Sequence, residues 1–166
     1  MAAPKFEVLT NSRFYLEIKL SDIPGSKDEI DGYFMECQGF QRTQEVIEIV
    51  EVTPQKWGKN EDAKFGRPVR TKIPGNSKHD NIILKRGLTI SLTMWNWLKA
   101  VEQGEWAKQK RDGELIVYDQ GAEEQARFRF TGAWPTKYKI AGFKAGGNEF
   151  EIEEVELAID EFIRVK

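Results

Sequence analysis

The chain has 166 residues, of which 40% are hydrophobic and 31% charged, which suits one globular domain with a substantial core. Its net charge of −2 argues against specific nucleic-acid recognition, and no apolar run is long enough to span a membrane. The single cysteine, Cys37, excludes an internal disulfide and a cysteine-cluster metal site, so we expect synthesis in a reducing cytoplasm. The opening segment MAAPKFEVLTNSR has neither a basic region nor an apolar run, so we expect no classical secretion signal.

The amino-terminal third reads as a series of strands. Alternation predicts a half-buried strand at Arg13–Leu20, and a turn-rich segment at 22–32 separates it from a second strand at Tyr33–Phe40. Thr43–Val52 is β-branched, and it carries apolar residues on both faces: Val46, Ile47, Ile49 and Val50. Such a strand needs cover on both sides, from the core or from a neighbouring chain.

The next segment, Thr53–Pro74, is rich in proline and glycine, and it predicts a loop or the tip of an extended hairpin. Within a single domain of residues 1–166, we expect the extended loop at about 53–72. Proline and glycine in Ile73–Ser77 predict a turn, and Gly87 is expected to end the strand that follows.

One helix is predicted at Leu92–Gln103. Ser91 can cap its amino end, and Gly104 stands where a left-handed residue often terminates a helix. Its expected apolar face is formed by Met94, Trp95, Trp97, Leu98 and Val101. Glu105–Lys110 is expected to add a turn or two.

Strands resume after a predicted turn at Arg111–Gly113. They are expected at Glu114–Tyr118, Ala126–Thr131, Lys137–Ile140 and in the alternating carboxy-terminal tail. The phase of that tail changes at Glu153–Glu154, which predicts a bulge or a strand that bends between sheets. The expected architecture is mainly β: two packed antiparallel sheets, as a sandwich or barrel, with one flanking helix.

The residues offer no convincing catalytic or cofactor site. His79 is the only histidine, and its neighbour Asp80 would point the other way in an extended segment. Ile73–Ser77 lacks the Gly-Lys-Ser/Thr ending of a phosphate loop, and the glutamates of the strands suit solvation or ion pairing. We therefore expect no enzyme activity, no cofactor and no metal.

Charge is distributed unevenly along the chain. Thr53–Gly87 contains nine lysines and arginines against three acidic residues, whereas Asn148–Lys166 contains seven acidic residues against two basic ones. Two solvated faces of one domain would account for this. Two unlike patches would also suit head-to-tail binding between copies of the chain.

Short motifs follow one another along nearly the whole chain. They are Lys72–Gly75 (KIPG), Asn81–Gly87 (NIILKRG) with Thr89, Trp95–Trp97 (WNW), Arg111–Gly113 (RDG), Phe130–Pro135 (FTGAWP), and Asn148–Glu149 before Glu154–Ala158 (EVELA). Phe14–Ile18 as first strand and Glu36–Phe40 before a Val/Ile/Glu-rich strand extend the pattern. In order and spacing the series resembles the inner tail-tube proteins of contractile phage tails and contractile injection systems.

The resemblance implies hexameric rings that stack into a hollow tube, with strands of every subunit joined in one β-barrel around the lumen. It implies as partners other copies of the chain, a surrounding sheath, baseplate and cap proteins, and cargo in the lumen. The protein is then part of an assembled phage tail or injection particle that delivers its cargo through a target envelope.

The expected contacts between subunits or rings involve charged and aromatic residues: Lys56, Trp57, Lys64, Phe65, Arg67, Arg70, Lys85, Arg86, Glu154 and Glu156. Residues 54–68 look longer and more basic than the usual connection before the Pro-Gly motif, and we expect them to contact the stacked ring.

Three alternatives remain open at this point. A baseplate-proximal adaptor ring would share the same features. A monomeric ligand-binding β-barrel would share the alternation and the helix, but it would not need strands apolar on both faces. A sheath subunit would normally be longer. The sequence also leaves open whether the particle is a phage or a cell-encoded injector.

Overall fold

The computed structural model describes residues 9–18, 20, 34–52 and 66–166, together with the backbone of residues 53–56. The chain divides into two units, which we call the body (described residues up to Gln41 and from His79) and the ribbon (Arg42–Lys78). The strands are β1 (Phe14–Ile18), β2 (Glu36–Gln38), β3 (Arg42–Lys56), β4 (Gly66–His79), β5 (Ile82–Gly87), β6 (Arg111–Tyr118), β7 (Glu124–Ile140), β8 (Ile152–Ala158) and β9 (Glu161–Arg164). The helix α1 spans Thr93–Ala100.

The body is built around β7, a strand of 17 residues that belongs to two sheets. Its first part pairs antiparallel with β6 and β9, and its second part pairs antiparallel with β8. The seven strands are connected through β7, which is shared by the two sheets β1–β6–β7–β9 and β7–β8–β5–β2. Gly132, at φ 65°, and a register shift between Pro135 and Lys137 mark the passage from one to the other. The expected mainly β fold with two antiparallel sheets and one helix is confirmed.

The two sheets share one hydrophobic core, because alternate residues of their strands face inward. It contains residues from both sheets and from α1: Leu16, Ile18, Leu20, Ile82, Leu84, Met94, Trp97, Leu115, Phe130, Ala133, Val155 and Leu157. The predicted first strand is confirmed over Phe14–Ile18, and Gly87 ends β5 as expected.

The helix α1 is shorter than the predicted Leu92–Gln103, and one of its faces differs from the prediction. Its N-cap residue is Leu92 and not Ser91, although the Ser91 hydroxyl accepts a hydrogen bond from the Thr93 amide at 3.4 Å. Gly104 has the predicted left-handed conformation, with a φ of 92°. A π-helical turn at Val101–Glu105 and a 3-10 turn at Trp106–Gln109 continue α1. Trp97 is fully buried and its indole donates to the Gln109 carbonyl oxygen at 2.8 Å. Trp95, expected in the core, is 50% exposed, and its ring forms a T-shaped contact with the Tyr138 ring.

The predicted turn at Arg111–Gly113 is wrong, because these residues begin β6. The glycine serves close packing instead: a Cβ at Gly113 would lie 2.2 Å from the Phe130 ring and 2.7 Å from the Glu17 carbonyl oxygen. Asp112 accepts a hydrogen bond from the Gly132 amide at 2.9 Å. Glycine and aspartate are turn residues in isolation, but here they allow two strands to approach at the sheet corner.

The predicted bulge at Glu153–Glu154 is also wrong. The register between β5 and β8 runs without a shift from Ile82–Leu157 to Gly87–Ile152. Glu153 is 2% exposed and faces inward with Val155 and Leu157. The apparent change in the alternation arises because this one inward-facing residue is charged instead of apolar. The bend lies in β7, not in β8.

Candidate assembly interface

The ribbon consists of two long strands with no third partner in the described part of the chain. β3 and β4, of 15 and 14 residues, form a two-stranded sheet of their own. Each strand thus keeps one edge of backbone N–H and C=O groups unpaired by another strand among the described residues, and such an edge is a template for further pairing. A two-stranded ribbon is also marginally stable by itself in water.

Both faces of the ribbon carry exposed apolar side chains. Those of β3 alternate in direction and are 39–69% exposed: Val46, Ile47, Ile49, Val50 and Val52. Val69 and Ile73 on β4 are each 39% exposed. The prediction that this strand is apolar on both faces is correct, and in the single chain its side chains are largely uncovered. Apolar surface of this extent marks an interaction site.

Ion pairs cross the ribbon and show how its strands run. Arg70 Nη1 lies 2.8 Å from Glu48 Oε1, and Lys78 pairs with Glu45. From the Glu45 pair to the Glu48 pair, the residue number rises along β3 and falls along β4, so the two strands are antiparallel. These side chains are 38–71% exposed, so the pairs lie in solvent and contribute little to stability.

The turn predicted at Ile73–Ser77 is wrong, because Pro74 and Gly75 lie inside β4. A Cβ at Gly75 would lie 3.2 Å from Ile47 Cγ1 and 3.3 Å from Glu45 Cβ, so the glycine leaves room for the facing strand. Proline within sheets is confined to edge strands, and β4 is one. Strand structure extends to Lys56 and resumes at Gly66, on either side of a connection outside the described residues.

The ten residues expected at interfaces are distributed over both units. The side chains of Lys56, Trp57, Lys64 and Phe65 lie outside the described residues. Arg67 and Arg70 are exposed on β4 of the ribbon. The remaining four lie in the body and have partners in their own chain.

The body residues of that set lie on β5 and β8. Lys85 Nζ is 3.1 Å from a Glu36 carboxylate oxygen, and the Asn81 amide donates to Glu156 at 2.7 Å. In the sheet register Glu154 stands opposite Lys85 on one side and Lys139 on the other. Cations of the same chain therefore face the acidic tail, and their role between subunits stays a prediction.

Arg86 forms a buried ion pair that composition alone did not identify. It is 3% exposed and opposes Glu153 across β5 and β8, with its Nε donating to the Glu153 carboxylate. The Tyr138 hydroxyl donates to the second oxygen of the same carboxylate. Burial, followed by this hydrogen bond, raises the pKa of Tyr138 to about 12. The sequence did contain a signal for this burial: Glu153 alternates with Val155 and Leu157, so it lies on the same inward face of β8.

His79 and Cys37 belong to no metal-binding cluster among the described residues. His79 Nδ1 is buried and has no hydrogen-bond partner among them, and no three acidic, histidine or cysteine side chains there could hold a metal. Burial, followed by the nearby Glu36, raises the pKa of the Cys37 thiol to about 11, so it is protonated and unreactive at neutral pH. No helix in the described segments has the length and apolarity to cross a bilayer.

The sequence profile of the T4-like virus tail tube protein gp19 family matches residues 10–163. The chain belongs to this family. A tail tube protein is a structural component of an assembled phage tail or contractile injection particle, and the recognition made from the motifs is confirmed. No curated protein sequence matches the chain.

Solved structures share the fold of this tail tube protein at low identity. A chain of the extended sheath–tube complex of the PVC extracellular contractile injection system has a TM-score of 0.68 and 20% identity, covering 95% of this chain and 90% of that one. A chain of the PVC sheath/tube terminator has a TM-score of 0.71 and 20% identity, covering 99% and 100%. A chain of the tube-terminating cap of the anti-feeding prophage has a TM-score of 0.72 and 18% identity, covering 99% and 95%.

Proposed function

We propose that this tail tube protein forms six-membered rings that stack into a hollow tube, and that it acts without catalytic activity of its own. The observation that carries the proposal is the ribbon, whose two edges pair with no other strand among the described residues and whose faces both carry exposed apolar side chains. Copies of the same ribbon would pair at these edges and cover these faces. The joined ribbons would then form a closed barrel, which has no edges.

The partners follow from the particles in which the same fold occurs. Chains of similar fold come from a PVC complex of sheath and tube and from an anti-feeding prophage baseplate. We propose a surrounding sheath, a baseplate, a terminating cap and a lumenal cargo as the partners of this tube. Arg67 and Arg70 of the ribbon belong to the proposed interface, together with the predicted side chains between Lys56 and Phe65.

A second proposal concerns residues 54–68, which we expect to contact the ring stacked above. Deleting them should give rings that no longer polymerise. Tubes of normal length from the deleted chain would contradict this contact.

An adaptor ring at one end of a tube is the second candidate function. Chains from the cap, terminator and baseplate structures match the fold as well as the chain from the sheath–tube complex does, with TM-scores of 0.70–0.72 and 0.68. A main tube subunit should polymerise without limit, whereas an adaptor should stop at one or two rings.

The decisive experiment is negative-stain electron microscopy of the purified protein, with its native mass measured on the same sample. Six-fold rings or stacked tubes are expected. A chain that stays monomeric at high concentration, with and without added baseplate proteins, would contradict the proposed assembly and favour the monomeric ligand-binding barrel.

A further inference from the structure

The two strands of the ribbon carry opposite charge. β3 contains Glu45, Glu48 and Glu51, and its two cations stand at its ends, Arg42 and Lys56. The acidic residues are all in the middle of the strand. β4 contains no acidic residue and four basic ones: Arg67, Arg70, Lys72 and Lys78. One edge of the ribbon therefore belongs to an acidic strand and the other edge to a basic strand.

The cross-strand ion pairs leave these charges available to a neighbour. Glu48 is 38% exposed in its pair with Arg70, and Glu45 is 44% exposed in its pair with Lys78. A side chain in a sheet has neighbours on both adjacent strands, so each carboxylate can also face a strand added at the β3 edge. The described residues provide no such strand in the single chain.

Two kinds of edge pairing between ribbons are possible, and charge distinguishes them. Pairing of like edges would place the three glutamates of β3 against their own copies, or the four cations of β4 against theirs. Like charges directly opposite each other on neighbouring strands are destabilising. Pairing of unlike edges places the acidic β3 of one copy beside the basic β4 of the next, and every charged strand then lies between two strands of opposite charge.

We propose that this separation of charge between β3 and β4 makes the ribbons pair head to tail, with the β3 edge of one copy against the β4 edge of the next. The inference rests on the proposed ring and adds the property that gives all of its subunits the same orientation. Head-to-tail contacts use two different surfaces and repeat with one sense of rotation, so they can close a ring in which all copies point the same way. Pairing of like edges would make every second copy point in the opposite direction to its neighbours.

Charge reversal on one strand at a time tests the proposal. The first variant carries Glu45→Lys, Glu48→Lys and Glu51→Lys, which makes both strands basic. The second carries Arg70→Glu, Lys72→Glu and Lys78→Glu, which makes both strands acidic. A third chain combines all six substitutions and so exchanges the two charges. Assembly is measured by sedimentation velocity and native mass, and folding by circular dichroism.

Each single-strand variant alone should require at least about tenfold more protein for half-assembly than the wild-type chain, because both of its edges now repel. An equimolar mixture of the two variants should assemble, with both chains in each oligomer, and the six-substitution chain should assemble alone. The mixture is decisive because it restores opposite charges only between chains. If the six-substitution chain assembles and the mixture does not, the charges act within one ribbon and the proposal is wrong.

A matched control carries Glu102→Lys, Glu105→Lys and Glu123→Lys, three exposed positions of the body outside both charged patches, with the same change in net charge as the first variant. It should assemble like the wild-type chain, and equal loss in the control would overturn the role of the ribbon charges. So would normal assembly of either single-strand variant. A wild-type chain that never associates would contradict the proposed ring instead. The mixture then still decides whether these charges act between chains: a mixed complex by native mass supports this, and no complex overturns it.

Discussion

The body and the ribbon differ in where they place apolar and charged residues. The body buries a core drawn from both of its sheets, and even its Arg86–Glu153 pair is enclosed, at 3% and 2% exposure. The ribbon exposes its valines and isoleucines on both faces and its ion pairs to solvent. The body therefore has the interactions of a folded domain within one chain, whereas the described residues of the ribbon have the composition of a sheet interior and leave their apolar side chains exposed.

The largest effect is expected where the body encloses a charge. Glu153→Leu or Arg86→Leu leaves one buried charge without its partner and should lower the free energy of unfolding by about 3–5 kcal/mol. The double substitution removes both charges and should recover most of the loss. Urea unfolding of the four chains checks this. Equal losses in the double variant and the single variants would contradict the pairing.

Close packing in the body predicts the next effect. Gly113→Ala places a methyl group against Phe130 and the Glu17 backbone and should cost about 1–3 kcal/mol of unfolding free energy. Gly142→Ala is the matched control, since its Cβ would meet nothing within 4 Å. Thermal unfolding of both variants compares them, and equal stability would show that the β6–β7 corner can relax.

Exposed ion pairs of the body predict a smaller, pH-dependent effect. Hydrogen bonds from Arg129, at 2.9 and 2.8 Å, and then from Arg127 hold the pKa of Glu114 below its ordinary value of 4.5. A folded pKa below the unfolded one stabilises the protein above pH 4.5, and that stabilisation is lost as the pH falls through the folded value.

Glu114→Gln should therefore lower the unfolding free energy by about 1 kcal/mol or less at pH 7. The difference from wild type should shrink below pH 4.5. Unfolding measured in a pH series tests this, with Glu149→Gln at an exposed position as the control. A gap that persists into strong acid would assign the effect to packing instead of charge.

The smallest effect on a single chain is expected in the ribbon. Val46 and Val50 are 63% and 55% exposed, so changing both to threonine keeps the β-branched shape and should alter the unfolding free energy of the monomer by about 0.5 kcal/mol or less. The same change should weaken assembly, which sedimentation velocity measures. Unchanged assembly would mean that these side chains stay uncovered in the tube.

The sequence predicts the structural features that follow from alternation along a strand, but not those that depend on contacts between distant residues. The half-buried strands and the two-sided apolar β3 could be predicted, because side-chain direction in a strand has a period of two. The Pro74–Gly75 and Asp112–Gly113 pairs were interpreted as turns, because turn chemistry and close strand approach use the same residues. Distinguishing them requires Ile47 and Phe130, which lie far away in sequence.

The candidate interface was predicted in part for a similar reason. The basic segment and the acidic tail were visible as charge excesses, but their partners depend on register. Strand pairing places Arg86 opposite Glu153 and Lys85 opposite Glu154 within one chain. The separation of charge between β3 and β4 emerges only once Gly66–His79 is known to be a strand and not a loop.

The length of β7 also has a mechanical consequence. Because one covalent strand passes through both sheets, a force along it is resisted simultaneously by the hydrogen bonds to β6, β8 and β9. Those bonds run across the strand direction, so they must be sheared together instead of opening one after another. In the proposed tube, the two sheets of each subunit would therefore yield as a unit.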